Sequence, residues 1–255
     1  MANSGISVWL PKQYGAWAML LAPALTGVLS AGGRWPGWVV LVAWTTAYLG
    51  YMAWHGMQGG RRRKSYRLPV IVYAAVAAGL TVGLLCWRPA LLWWGLPLAV
   101  LLGGSLLITW RGRERSTVND ACLIGASSLM LAVTATCGRL PSGIGPTGFL
   151  TAVSQPAVWL ATATMAAYCL GTIPYIKTMI RERGKPGWYA ASVVYHLILV
   201  GLAILTANPV LIAFSVLLVA RAAVVPKVWP RAKPKIIGIG EMVATVSIII
   251  IIVFA

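Results

Sequence analysis

Carboxylates are nearly missing from this chain. Among 255 residues the acids are Glu114, Asp120, Glu182 and Glu241, against 21 Lys and Arg, for a net charge of +17. Charge of either sign is scarce: 10% of residues are charged, 59% are hydrophobic and the mean hydropathy is +0.81. A soluble domain carries about 25% charged residues, so this composition excludes one. The four cysteines (Cys86, Cys122, Cys137, Cys169) contain no Cys-x-x-Cys pair. That leaves no sign of a disulfide framework or a zinc site, and small apolar packing residues are expected. The two histidines, His55 and His196, fall at expected depths about two helical turns apart, which argues against a bis-histidine haem. No internal repeat is evident, and repeat symmetry is frequent among secondary transporters.

What the chain does contain is long apolar runs. A bilayer core of roughly 30 Å needs about 20 mostly apolar residues per helix. The sequence predicts spans at 14–31, 37–57, 68–87, 90–109, 118–137, 156–176, 187–206, 208–225 and 236–255. The expected fold class is all-α, a polytopic transmembrane bundle of about nine spans forming a single domain over 1–255. All but three of the Lys and Arg residues fall in every second gap: Lys12; Arg61, Arg62, Arg63, Lys64 and Arg67; Arg111, Arg113 and Arg115; Lys177, Arg181, Arg183 and Lys185; and Arg221, Lys227, Arg231, Lys233 and Lys235. Arg34, Arg88 and Arg139 stand alone in the intervening gaps. Basic residues are retained on the cytoplasmic side, so the N-terminus is expected inside and the C-terminus outside. The same alternation accounts for the positive charge without nucleic acid. It also predicts attraction to anionic lipid head groups. Trp35, Trp38, Trp87, Trp93, Trp110, Trp188 and Trp229 lie near span ends, as interfacial aromatics do. The first span, whose Leu29-Ser30-Ala31 loosely resembles a cleavage site, is expected to be an uncleaved helix.

Ionisable groups inside a span each cost about 2.5–3.5 kcal/mol on insertion scales and so point to function. Glu114 and Glu182 sit in basic loops and offset neighbouring Arg charge. Asp120 begins a predicted helix, where the helix dipole favours a carboxylate; that reading and a functional one both stand. Glu241 comes after Gly238 and Gly240 in the last span, and a packed or paired acid facing the bundle interior is expected. His196 is expected to be a satisfied buried polar group. His55 and Gln58 open the most basic loop. Lys177, Arg181 and Lys185 recur every four residues and share one helical face if the sixth helix continues. Such a face suits phosphate.

The motifs carry two resemblances. Pro11-Lys12-Gln13-Tyr14-Gly15-Ala16-Trp17-Ala18-Met19, with Ile180-Arg181-Glu182-Arg183-Gly184 downstream, resembles the YwiC-like family of bacterial membrane proteins, which implies a multi-pass protein of the bacterial plasma membrane. More distantly, nine helices with the N-terminus inside are similar to the UbiA superfamily of membrane prenyltransferases. Those enzymes carry their catalytic segments in the second-to-third and sixth-to-seventh loops. The segment from Trp110 to Asp120, continuing to Gly125-Ala126, resembles that superfamily's short mid-chain basic segment.

UbiA enzymes hold Mg²⁺ on two Asp-rich motifs, as a hard cation bridging phosphates requires. Here the first loop has no acid and the second has only Glu182. No metal or other cofactor is therefore expected. A UbiA-like bundle implies a cavity open to the cytoplasm, reached by Lys12, Gln13, Tyr14, His55, Gln58, Asp120, Lys177, Arg181 and Glu241. Glu241 or Asp120 would pair with Arg181 in the empty state, and a ligand phosphate would replace it. The expected ligand is an anionic lipid or isoprenoid, bound or processed without Mg²⁺. A transporter or flippase, or a non-catalytic accessory subunit, is the alternative.

Overall fold

A computed structural model describes residues 6–10, 14–58, 63–114 and 116–254. Every regular element among them is helical: α1 (Ile6–Trp9), α2 (Tyr14–Ser30), α3 (Trp35–Gln58), α4 (Arg67–Trp87), α5 (Leu92–Trp110), α6 (Thr117–Thr136), α7 (Pro146–Val153), α8 (Pro156–Ile176), α9 (Pro186–Leu205), α10 (Pro209–Val228) and α11 (Pro234–Phe254). The boundaries arise from the sequence. Five of these helices, α7 to α11, begin on proline, whose fixed φ suits a first turn where its missing N–H costs nothing. Asn208 adds a cap, accepting from the N–H groups of Val210 and Leu211 at 3.0 Å. The chain leaves α5 through Gly112, at φ +70°, a left-handed turn that a Cβ disfavours.

Among the described residues seven segments are long and apolar enough to cross a membrane: Lys64–Trp87, Pro89–Trp110, Thr117–Arg139, Pro156–Arg181, Pro186–Leu205, Pro209–Val228 and Pro234–Phe254. They coincide with seven of the expected spans, and the protein is a polytopic helical membrane protein. The other two expected spans form helices as well. α2 has 17 residues, short for a full crossing, and α3 has 24 but interrupts its apolar run with Thr45, Thr46, His55 and Gln58. α7 lies between two expected spans. Eight residues are too few to cross, and it supplies Phe149, Ala152 and Val153 to a core.

The chain forms two compact units. The first comprises residues 1–99 and 129–158, the second 100–128 and 159–255. In the first, Ala24, Val40, Leu84, Trp94, Met130, Val133 and Val153 belong to one buried cluster. α2 meets the end of α6 so closely that Thr134 donates to the Ala24 carbonyl at 2.9 Å. In the second unit, Tyr195 of α9 donates to Ala167 of α8 at 2.9 Å, and Tyr189 of α9 donates to Ala223 of α10 at 3.0 Å. Leu197, Ile198 and Leu202 on α9 and Val243, Val246 and Ile250 on α11 are exposed. Large apolar groups facing outward suit lipid, where helix association rests on packing and hydrogen bonds instead of apolar burial.

Candidate functional site

The polar groups of the second unit gather towards one end of its helices. Arg221 lies seven residues before the end of α10, and Glu241 seven residues after the start of α11. At 1.5 Å per residue each is about 10 Å inside its helix. Nη1 of Arg221 donates to Oε1 of Glu241, and the two side chains are 16% and 12% exposed. The Tyr175 ring lies 4.1 Å from the guanidinium carbon of Arg221, a cation–π contact that orients its plane. On the carboxylate side, Thr245 donates to the Glu241 carbonyl at 2.7 Å, and the Tyr168 hydroxyl lies 3.0 Å from the Thr245 hydroxyl. The pair is only half satisfied: Nε and Nη2 of Arg221 and Oε2 of Glu241 are buried and have no hydrogen-bond partner among the described residues.

A second cation is held nearer the end of α8. That helix closes in a π turn, Lys177–Arg181, with the Glu182 N–H reaching back to the Lys177 carbonyl at 2.7 Å. A π turn inserts an extra residue and rotates the chain beyond it. Lys177 is thereby buried, while Arg181 is exposed and Lys185 lies beyond the helix, paired with Glu182 at 2.6 Å. The expected common face of Lys177, Arg181 and Lys185 does not form, because the i, i+4 spacing holds only in a continuous α-helix. Lys177 instead donates to the Thr117 hydroxyl at 2.7 Å, lies 3.6 Å from Asp120 and sits over the Trp188 ring at 4.8 Å. It joins the end of α8 and the start of α9 to the start of α6. Replacing Lys177 by Met is expected to cost about 2 kcal/mol, the order of a charge-assisted hydrogen bond, measured by SDS unfolding in mixed micelles.

The pairing expected for Arg181 is corrected by this geometry. Glu241 is engaged by Arg221 and Asp120 by Lys177, so neither carboxylate is paired with Arg181. Arg183, not Arg181, ties the π turn down, donating to the Met179 carbonyl at 2.7 and 3.0 Å and to Ala232 at 3.3 Å. In the first unit His55 and Gln58 are exposed at the end of α3. Lys12, Gln13 and the side chain of Tyr14 lie outside the described residues. His196 is buried, with Nδ1 2.7 Å from the Ser192 carbonyl. Among the described residues no group of three or more His, Cys, Asp or Glu side chains could hold a metal ion.

Arg221 escapes the sequence reading because it counts there among the basic residues of the loop after the eighth span. It stands inside that expected span, 208–225. The test that singles out Asp120 and Glu241, a charge lying within a span, finds it when applied to cations as well as acids.

Residues 10–135 match the profile of the YwiC-like protein family. An uncharacterized protein of Haemophilus influenzae is 25% identical over 189 residues, covering 74% of each chain. The uncharacterized protein YwiC of Bacillus subtilis is 26% identical over 196 residues, again 74% of each. No solved structure matches. Over residues 10–135, α2 through most of α6, the chain is similar to the YwiC-like family.

Proposed function

We propose that this multi-pass protein binds or processes an anionic lipid or isoprenoid at the cytoplasmic face of a bacterial plasma membrane, without Mg²⁺. The observation that carries this reading is the convergence of basic connections at one end of the second unit. Lys177 links the start of α6 to the end of α8 and the start of α9, Arg183 reaches the α10–α11 connection, and Lys227 lies over Tyr189. Exposed Arg111, Arg113, Arg181, Lys227, Arg231, Lys233 and Lys235 belong to the same connections. Each such charge near the surface contributes roughly 1 kcal/mol towards an anionic head group. The test is native mass spectrometry of the protein purified from a mixed-lipid membrane. Anionic lipid should be enriched over its bulk fraction, and neutralising Arg181, Lys227 and Lys233 together should remove most of the enrichment. Lipid carried at bulk proportions overturns the reading.

The orientation belongs to the same proposal. Cysteine labelling from either side should place residues near 63, 113, 183 and 232 in the cytoplasm and residue 255 outside. Residues 63 and 113 on opposite sides would contradict it. One observation favours a flippase instead: an ion pair lying within spans, a frequent mark of transport pathways. A fluorescent anionic lipid that changes leaflet in vesicles containing the protein would select that reading; retention without movement selects the binder.

A further inference from the structure

The two nitrogens of Arg221 that lack partners are not an arbitrary pair. Nη1 is taken by Glu241, and Nε with Nη2 makes up the side-on edge of the guanidinium. Along that edge two N–H bonds run parallel, spaced to meet two oxygens on one phosphorus or one carboxyl carbon. The Tyr175 ring against the flat face holds the edge in one direction. Beside it, Oε2 of Glu241 is a buried acceptor without a donor. A group satisfying all three atoms must offer two acceptor oxygens and one donor hydrogen.

Resting on the anionic-lipid reading, we infer that Arg221 and Glu241 form the head-group site and select a phosphate monoester on a lipid chain. A monoester has a second ionisation near pH 6, about where a phosphorylated side chain has its own. At neutral pH about one molecule in ten therefore keeps a P–O–H; bound, that form donates to Oε2 and offers two free oxygens, which accept from Nε and Nη2. A phosphodiester has the acceptors but no P–O–H, and would set oxygen against oxygen at Glu241. Depth acts in the same direction. The pair lies about 10 Å inside its helices, which a small monoester head can reach more easily than one extended by a further alcohol.

The test uses the protein in phosphatidylcholine nanodiscs doped with phosphatidic acid, with phosphatidylmethanol of the same acyl chains (an anionic diester without a hydroxyl), or with farnesyl monophosphate, and reads retained lipid by native mass spectrometry. Either monoester should be retained about tenfold over the diester, the worth of one hydrogen bond to a charged group; the better-retained monoester identifies the chain type. Glu241→Gln should bring the ratio close to one, because its amide N–H donates to any phosphate. The double variant Arg221→Gln with Glu241→Gln, which leaves no buried charge unpaired, should lose the bound monoester. Monoester and diester retained equally by the native chain, or a monoester preference that survives Glu241→Gln, overturns the inference while leaving the anionic-lipid reading intact. Retention of neither above the phosphatidylcholine background sinks that reading itself.

Discussion

Replacing Arg221 alone by alanine is expected to cost about 3–5 kcal/mol, the usual penalty for stranding one member of a buried ion pair. Glu241, 12% exposed, would be left without its counter-ion, and Tyr175 would lose the cation it stacks on. The loss should appear as a large fall in the SDS fraction needed to unfold the protein in mixed micelles. Changing Arg221 to Met and Glu241 to Leu together should recover most of it, since apolar groups of similar volume often equal or exceed a buried pair. That contrast separates the two roles of the pair. If the double variant is stable but retains no anionic lipid, the charges are kept for binding and not for folding. If the single variant costs nothing, the pair is not buried as described.

A second large effect is expected at Gly27. A Cβ there would stand 2.2 Å from both the Leu131 carbonyl oxygen and the Thr134 hydroxyl oxygen, closer than real Cβ contacts allow. The carbonyl belongs to the backbone of α6 and has nowhere to move. Thr134 is itself bonded to Ala24 at 2.9 Å. Gly27→Ala should therefore push α2 away from α6 and cost about 3 kcal/mol, the upper end of ordinary overpacking. Close approach of helices on small residues is how membrane helices gain packing. Gly79 is the control: nothing lies within 4 Å of a Cβ built there, and Gly79→Ala should be neutral or stabilise α4 by up to about 1 kcal/mol through helix propensity. Equal effects at the two positions would show that α2 and α6 do not meet as described.

The difference between those two glycines is not visible in the sequence, and it illustrates which parts of the fold are. Spans are legible because each must bury about 20 apolar residues in lipid whatever its neighbours are. Prolines at 156, 186, 209 and 234 mark where α8 to α11 begin. α7 is illegible because its apolar content, Phe149 through Val153, is too short to distinguish from a loop until Trp94 is found packing edge-on to Phe149 at 5.5 Å. The π turn is hidden for another reason. Lys177, Arg181 and Lys185 have ideal α-helical spacing, and only the tertiary contacts of Lys177 with Thr117, Asp120 and Trp188 show that the helix departs from it. At the site, the sequence marks Glu241 as an acid paired inside the bundle, but it points to Arg181, beyond α8, for a partner that lies on α10. A charge pattern reports which side of the membrane a residue favours. It does not report which helices touch.

The head-group site at Arg221 and Glu241 is tested most directly by cryo-electron microscopy of the protein in a nanodisc containing phosphatidic acid. Phosphate density is expected within hydrogen-bond distance of Nε and Nη2 of Arg221, with Glu241 still on Nη1 and one phosphate oxygen against Oε2. Lipid phosphate found only on the exposed basic side chains, with the Arg221 edge bonded to protein, would contradict it.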